Sequence, residues 1–115
     1  MLNHAEQEGS RVAVNAWGLN GNYGAYTADS RSVDVFVNDN PEFLPIFSAG
    51  DDPSQNSSSV MAPSTAKNVL SVGASTTNPS GSVANFSSLG PSLDGRVKPD
   101  IVAPGVAICS GRAEE

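Results

Sequence analysis

The chain has 115 residues, of which 38% are hydrophobic, 6% aromatic and only 16% charged, with a formal net charge of -6. This length allows one domain at most, and the scarcity of charge, with 11 glycines and 8 prolines, argues against a coiled coil or helical bundle. Six scattered basic residues exclude a nucleic-acid partner, and no apolar run approaches the ~20 residues that span a bilayer.

The first forty residues predict a helix, a strand and a second helix. Asn3 to Gly9 is rich in helix formers and stops at a glycine, the residue that commonly closes a helix. Arg11 to Trp17 has the alternating valines of a strand. Ser30 to Asn38 fits either element, because its valines alternate while its apolar residues also form a helical stripe. We favour a helix here, with Thr27 or Ser30 as its N-cap.

The remainder of the chain predicts short buried strands separated by loops. Strands are predicted at Leu44 to Gly50, Val69 to Ala74, Ile101 to Ala103 and Val106 to Cys109, and a long polar surface loop at Asp51 to Ser64. Buried strands joined through a helix are typical of a βαβ unit in a parallel sheet. Because such a sheet needs cover on both faces and only about two helices are predicted, the sequence indicates part of an α/β domain.

No stretch of the sequence forms a complete active site by its own motifs. It contains no Gly-x-Ser-x-Gly elbow, no phosphate-binding glycine loop and no His-Glu-x-x-His zinc motif. The single histidine, His4, is expected on a solvated helix face. Asp51 and Asp52, which are adjacent to each other in the sequence, are expected to be solvated loop residues. The single cysteine, Cys109, excludes an internal disulfide and is expected to be a small core residue.

Six motifs along the chain resemble those of one enzyme family. They are Asn15–Gly18, Phe47–Asp51, Ala62–Asn68, Val69–Ala74, Phe86–Pro91 and Val97–Gly105. Together they resemble the subtilisin-like serine peptidases, or subtilases. The resemblance implies a subtilisin-like α/β fold, a parallel sheet with flanking helices, present only in part. Residues 1–115 would then be a partial catalytic domain, the segment between the catalytic histidine and serine motifs, since no motif of the Asp, His and Ser triad occurs in the sequence.

The resemblance assigns substrate binding to two segments. Ala16-Trp17-Gly18 matches a family segment that pairs with an extended substrate backbone and walls the specificity pocket. Ser48-Ala49-Gly50 matches the opposite wall, where small residues leave room for a substrate side chain.

Asp51 matches the position at which most of the family has Asn, whose amide donates a hydrogen bond to the oxyanion of the reaction. An ionised Asp only accepts hydrogen bonds and would repel the oxyanion, so it could help only if burial kept it protonated. One branch of the family, the proprotein convertases, does carry Asp here. The alternative is a turn or N-cap aspartate without a catalytic role.

The resemblance therefore implies a segment of a secreted serine endopeptidase that hydrolyses peptide bonds and takes a peptide or protein as its partner. It implies no cofactor and assigns no metal ligands, although oxygen groups in the Asp52 to Ser64 loop could hold a structural calcium ion. No signal peptide is recognisable in the first residues. The alternatives are a non-catalytic pseudopeptidase remnant or peptide-binding module and, more remotely, an unrelated β-rich secreted domain. By itself the chain is expected to lack peptidase activity and to be weakly stable or self-associating.

Overall fold

The computed structural model describes residues 2–53, 58–78, 81–109 and 111. Its elements in chain order are α1 (Leu2–Gln7), β1 (Val12–Asn15), α2 (Ala28–Asp39), β2 (Leu44–Ser48), β3 (Leu70–Ser75) and β4 (Ile101–Pro104). The four strands form one sheet in the order β1-β2-β3-β4, and every neighbouring pair is parallel. The expected α/β class with a parallel sheet is confirmed.

The ambiguous segment around Val33 is a helix, as predicted. Thr27 is its N-cap: the Thr27 backbone is extended, and its hydroxyl accepts a hydrogen bond from the Ser30 N–H at 3.4 Å. Val33 is buried whereas Val35 is 46% exposed, so these valines do not share a face as they would in a strand. None of the helices in the described ranges is long and apolar enough to cross a membrane.

The core lies between α2 and one face of the sheet. Val33 of α2 forms a buried cluster with Phe47 of β2 and with Ala66 and Val69 from the segment that leads into β3. Partly buried apolar residues of α1 and α2 pack against this cluster. Phe47 is only 1% exposed, which makes it the central aromatic side chain of the fold.

The opposite face of the sheet is apolar and uncovered within the described residues. The strand register places on it Val12, Val14, Leu44, Ile46, Leu70, Val72 and Ile101. None of these side chains is buried, and Val14 is 76% exposed. In the part of the chain that the structure describes, the sheet therefore has cover on one face only, as the small number of predicted helices led us to expect.

The predicted surface loop at Asp51 to Ser64 is wrong in its second half. Residues 59–64 are buried, and residues 54–57 lie outside the described part of the chain. The buried portion satisfies its backbone polar groups against neighbouring segments, since the Met61 N–H donates to the Ala49 carbonyl at 2.8 Å. A polar composition therefore did not mean an exposed loop, because backbone hydrogen bonds fasten this segment to the end of β2.

The predicted strand at Val106 to Cys109 is also wrong. Ala107 has a φ of +55°, in the left-handed region, and such a residue interrupts an extended chain. Consistently, this segment consists of bends and irregular backbone, and Cys109 is exposed instead of buried in the core.

An ion pair between buried Lys98 and partly exposed Asp100 fastens β4 to β3. The Lys98 side chain is 4% exposed, and its Nζ donates to Asp100 Oδ2 at 2.7 Å and to the Val69 carbonyl at 3.3 Å. The same Asp100 oxygen accepts the Ser71 N–H at 2.7 Å, while the Asp100 N–H donates to the Ser71 carbonyl at 2.9 Å. These bonds fix the amino end of β4 and therefore the register of the sheet's last strand.

Candidate functional site

A cavity of about 500 Å³ opens at the carboxyl ends of the strands. In parallel α/β sheets this is the edge where ligands bind, because the loops that leave neighbouring strands diverge there. Residues from β1, β2, β3 and β4 and from the segments after them line the cavity. The lining includes Ala16, Trp17, Gly18, Ser48, Gly50 and Asp51, whereas Ala49 is buried and is not among the lining residues.

The parallel pairing of β1 and β2 explains why the two walls meet. Asn15, the last residue of β1, is the register partner of Phe47, the penultimate residue of β2. Ala16-Trp17-Gly18 and Ser48-Ala49-Gly50 therefore leave the sheet side by side, in the same direction and at the same edge. The two segments are about thirty residues apart in the sequence, and the parallel pairing of β1 with β2 brings them next to each other in the fold.

The first wall is held by its neighbours on β1 and β2. The Asn15 side chain is buried, and its Nδ2 donates to the Ala13 carbonyl at 3.1 Å and the Ile46 carbonyl at 3.2 Å. The Trp17 ring packs edge-on against Phe47, with centroids 5.5 Å apart and planes at 83°. Trp17 is nevertheless 43% exposed. One edge of the indole is thus fixed to the core while the rest stays available to a ligand.

The second wall turns sharply at Gly50, whose φ of +114° is a conformation that L side chains rarely adopt. Ser88 holds this turn: its N–H donates to the Gly50 carbonyl at 3.0 Å, and its hydroxyl accepts the Asp52 N–H at 3.2 Å. Ala49 is buried, and its N–H donates to the Val72 carbonyl of β3 at 2.8 Å. The turn between Ala49 and Asp52 is therefore clamped from two sides, which fixes the backbone of Asp51.

Asp51 lines the cavity and is exposed. Next to it, the Asp52 carboxylate accepts a hydrogen bond from the Tyr23 hydroxyl, and this bond raises the pKa of Tyr23 above its ordinary 10.0. The catalytic role of Asp51 stays a prediction.

Met61 lines the cavity next to both Gly18 and Gly50, and the sequence did not reveal it because its segment was predicted to be a surface loop. The Leu19 N–H, just after the first wall, donates to the Ala62 carbonyl at 2.8 Å. The Met61 N–H donates to Ala49 of the second wall, also at 2.8 Å. The one available signal was the apolar pair Val60-Met61 inside a Ser- and Asn-rich stretch.

Other candidate groups lie away from this cavity or do not cluster. His4 is exposed on α1 and does not line the cavity. Among the residues that the structure describes, no three His, Cys, Asp or Glu side chains come together as a metal site. The loop considered for calcium includes residues 54–57, which lie outside the described ranges.

Comparison with known proteins gives concordant matches. A family model described as the Subtilase family matches residues 1–114. The Dictyostelium discoideum protein named Serine protease/ABC transporter B family protein tagB is 27% identical over 179 aligned residues, covering 91% of this chain and 9% of that protein. Serine protease AprX of Bacillus subtilis is 43% identical over 63 residues, covering 50% of this chain and 14% of that protein.

A solved structure titled Prenylagaramide maturation protease PagA has the same fold over this segment. Its TM-score is 0.68 at 22% sequence identity, and the match covers 90% of this chain and 34% of that one. The chain thus spans about a third of that structure and a smaller share of the two relatives above. With the family match over nearly its full length and the expected parallel sheet in place, the chain belongs to the subtilase family of serine peptidases.

Proposed function

We propose that the chain is the part of a subtilase catalytic domain that binds the peptide substrate of a serine endopeptidase. The observation that carries this proposal is the cavity between Ala16-Trp17-Gly18 and Ser48-Ala49-Gly50 at the carboxyl ends of β1 and β2. An extended peptide would lie between these segments, with its backbone bonded to theirs and one side chain in the cavity. Backbone pairing recognises any sequence, whereas the cavity selects among side chains.

In this proposal the chain binds and orients the substrate, and it does not itself supply the nucleophile. No Asp, His or Ser triad motif of the family occurs in its sequence. Holding the scissile carbonyl in a fixed position beside reacting groups is a large part of peptidase catalysis. Asp51 would lie at the edge nearest the oxyanion, where a carboxylate would be unfavourable and an amide favourable.

A second candidate function is a peptide-binding module that does not cleave. The residue type at Asp51 favours this candidate, because an aspartate side chain lacks the amide N–H with which Asn would donate to an oxyanion. For both candidate functions the ligand is an extended peptide. We also propose, from membership of the subtilase family, that the protein acts outside the cell.

Peptide binding is tested with the single tryptophan of the chain, Trp17, as a fluorescence probe. Titration with the blocked pentapeptide acetyl-(Ala)5-amide should change Trp17 emission saturably, because the ring lies in the first wall. The matched control is the same peptide with N-methylated backbone amides, which keeps the side chains but cannot donate backbone hydrogen bonds. Equal responses to both peptides, or none to either, would contradict the proposal.

Cleavage is tested separately with a fluorogenic peptide. The pure chain is expected to give no turnover, since its sequence lacks the triad motifs. Turnover abolished by a serine-directed phosphonate would show that the chain is a complete catalyst, contrary to the proposal.

A further inference from the structure

The loop after the first wall contains a chemically labile dipeptide, Asn20-Gly21. Of the ten asparagines in the sequence, Asn20 is the one that precedes a glycine. Both residues are exposed, and Asn20 lines the cavity. A Cβ placed on Gly21 would have no atom within 4 Å, so the space around this peptide bond is open. The site therefore combines an accessible side-chain amide with an unhindered backbone nitrogen.

These two groups can react with each other, because covalent attachment already holds them close together. The Gly21 nitrogen attacks Asn20 Cγ: the N–Cγ bond forms, the Cγ–Nδ2 bond breaks, and ammonia leaves with the proton of the Gly21 N–H. Water then opens the cyclic imide that has formed. Attack of water at Cγ gives aspartate, and attack at the backbone carbonyl carbon gives isoaspartate, in which the main chain runs through the former side chain.

The backbone around Asn20-Gly21 is not locked into a helix or strand. Residues 20–24 form bends and a turn, in which Gly21 has a φ of +82° and Asn22 a φ of +50°. The Gly21 N–H donates to the hydroxyl oxygen of Tyr23. Because this acceptor belongs to a side chain, its rotation frees the Gly21 nitrogen, and the reaction does not require the backbone to unfold.

The fold treats a second labile dipeptide, Asp94-Gly95, in the opposite way. Arg96 Nε donates to Asp94 Oδ2 at 2.9 Å, and the Ser92 hydroxyl donates to Asp94 Oδ1 at 2.6 Å. These bonds lower the pKa of Asp94 to about 2, and the ionised carboxylate is a poor electrophile. The Gly95 N–H donates to the Ser92 backbone carbonyl at 2.9 Å. The fold therefore protects both reacting groups of Asp94-Gly95 and leaves those of the first dipeptide accessible.

We propose that Asn20 is a site of spontaneous deamidation in the folded chain, and that its conversion to aspartate and isoaspartate adds a carboxylate to the lining of the cavity. Among the described residues that line the cavity, Asp51 is the charged one, so the reaction gives the lining a second carboxylate. In the isoaspartate product the main chain is also longer by one carbon next to Leu19, whose N–H donates to the Ala62 carbonyl at 2.8 Å. The reaction is independent of the proposed peptide binding.

The test follows the full chain during incubation at neutral pH, both in buffer and unfolded in guanidinium chloride, with circular dichroism as the measure of folding. Tryptic peptides of residues 12–31 and 68–96 separate the two dipeptides. Mass spectrometry of the peptides detects the exchange of NH2 for OH at Asn20, and an isoaspartyl methyltransferase labels isoaspartate at either site. Asn20→Gln is the matched control, because it keeps the amide but moves it one methylene further away. Asn20→Asp supplies the chromatographic standard for the aspartate product.

We expect Asn20 in the folded chain to convert within about threefold of its rate in the unfolded chain, because exposed loops open at little cost in free energy. Asp94 should isomerise at least about tenfold more slowly when folded, since each unit of pKa changes the population of the reactive protonated acid tenfold. Asn20→Gln should leave residue 20 unmodified over the same time. Asn20 that stays intact in the folded chain while it converts in the unfolded chain would overturn the proposal. Equal effects of folding on the two sites, or equally fast deamidation of asparagines not followed by glycine, would also overturn it.

Discussion

The ion pair between Lys98 and Asp100 offers a sharp test of how the fourth strand is held. Lys98→Met keeps the length of the side chain but removes its charge, whereas Asp100→Asn keeps the shape of the acceptor and removes its charge. The Lys98 side chain is 4% exposed and that of Asp100 is 34% exposed. The two partners therefore differ in how well water can compensate the charge that is left alone.

The structure sets the expected magnitudes. Breaking a buried pair by removing one partner costs about 3–5 kcal/mol, because the other charge stays buried without compensation. Lys98→Met leaves Asp100 with its bond from the Ser71 N–H and with partial access to water, so we expect a loss of about 2 kcal/mol. Asp100→Asn leaves a buried ammonium with neutral oxygen acceptors alone, among them the Val69 carbonyl at 3.3 Å, and we expect a loss of about 3 kcal/mol.

The assay is equilibrium urea unfolding of the original chain, both single variants and the double variant, followed by circular dichroism and Trp17 fluorescence. The double variant should lose less stability than the sum of the single variants, with a coupling energy of about 1–3 kcal/mol. A coupling energy below about 0.5 kcal/mol would refute the reasoning. So would a smaller loss for Asp100→Asn than for Lys98→Met, since the burial of the two side chains predicts the opposite order.

Three further predictions follow from single sites. Gly50→Ala should destabilise the chain by about 1–3 kcal/mol in urea, because the new Cβ would lie 2.7 Å from Ser88 Oγ at a φ of +114°; an unchanged midpoint would contradict the clamped turn. Asp34→Ala should cost about 2–4 kcal/mol and more than Tyr26→Phe, since buried Asp34 accepts the Tyr26 hydroxyl and two backbone N–H groups; equal losses would contradict this. A hydrogen bond to Asp52 raises the pKa of Tyr23 above 10.0, and a hydrogen bond to Asp34 does the same for Tyr26. The stability that these two bonds contribute should be fully present below pH 10 and should be lost as the pH rises through the pKa values of the two tyrosines in the folded chain. Absorbance at the tyrosinate wavelength should show folded-state midpoints above those in urea, and Asp34→Ala should lower only that of Tyr26.

Much of the sheet could be predicted from local sequence because its strands are short apolar runs ended by turn residues. β2 and β3 follow the predicted runs closely. The segment Ser30 to Asn38, whose pattern fitted a strand or a helix, is part of the helix α2. Thr27 caps the start of α2, and a capping residue at this position is a local signal for a helix and not for a strand. These features depend on neighbours within a few residues, which is why the sequence reveals them.

The two failures have a common physical origin in long-range contacts and backbone conformation. The segment of residues 59–64 has a polar composition, yet it is buried because its backbone bonds to the ends of distant segments. Val106 to Cys109 reads as an apolar strand, yet the left-handed Ala107 interrupts it. Neither the partner of a buried loop nor a left-handed non-glycine residue leaves a clear local pattern.

The sequence singled out the two wall segments of the candidate site but not Met61. Ala16-Trp17-Gly18 and Ser48-Ala49-Gly50 were identified by their resemblance to family motifs, and the structure brings both segments to one cavity. Met61 belongs to the same cavity because of hydrogen bonds to Ala49 and, through Ala62, to Leu19. That arrangement depends on three segments meeting, so composition and spacing could not show it.

The central claim is that an extended peptide binds between the two walls, and amide chemical-shift mapping tests it most directly. A nitrogen-15-labelled chain is titrated with acetyl-(Ala)5-amide, and the shift of each assigned amide is followed to saturation. We expect the largest changes in Ala16-Trp17-Gly18 and in Gly50 and Asp51, with little change in α2. Saturable changes confined to the uncovered sheet face around Val12 and Leu70, or no saturable change at all, would contradict it.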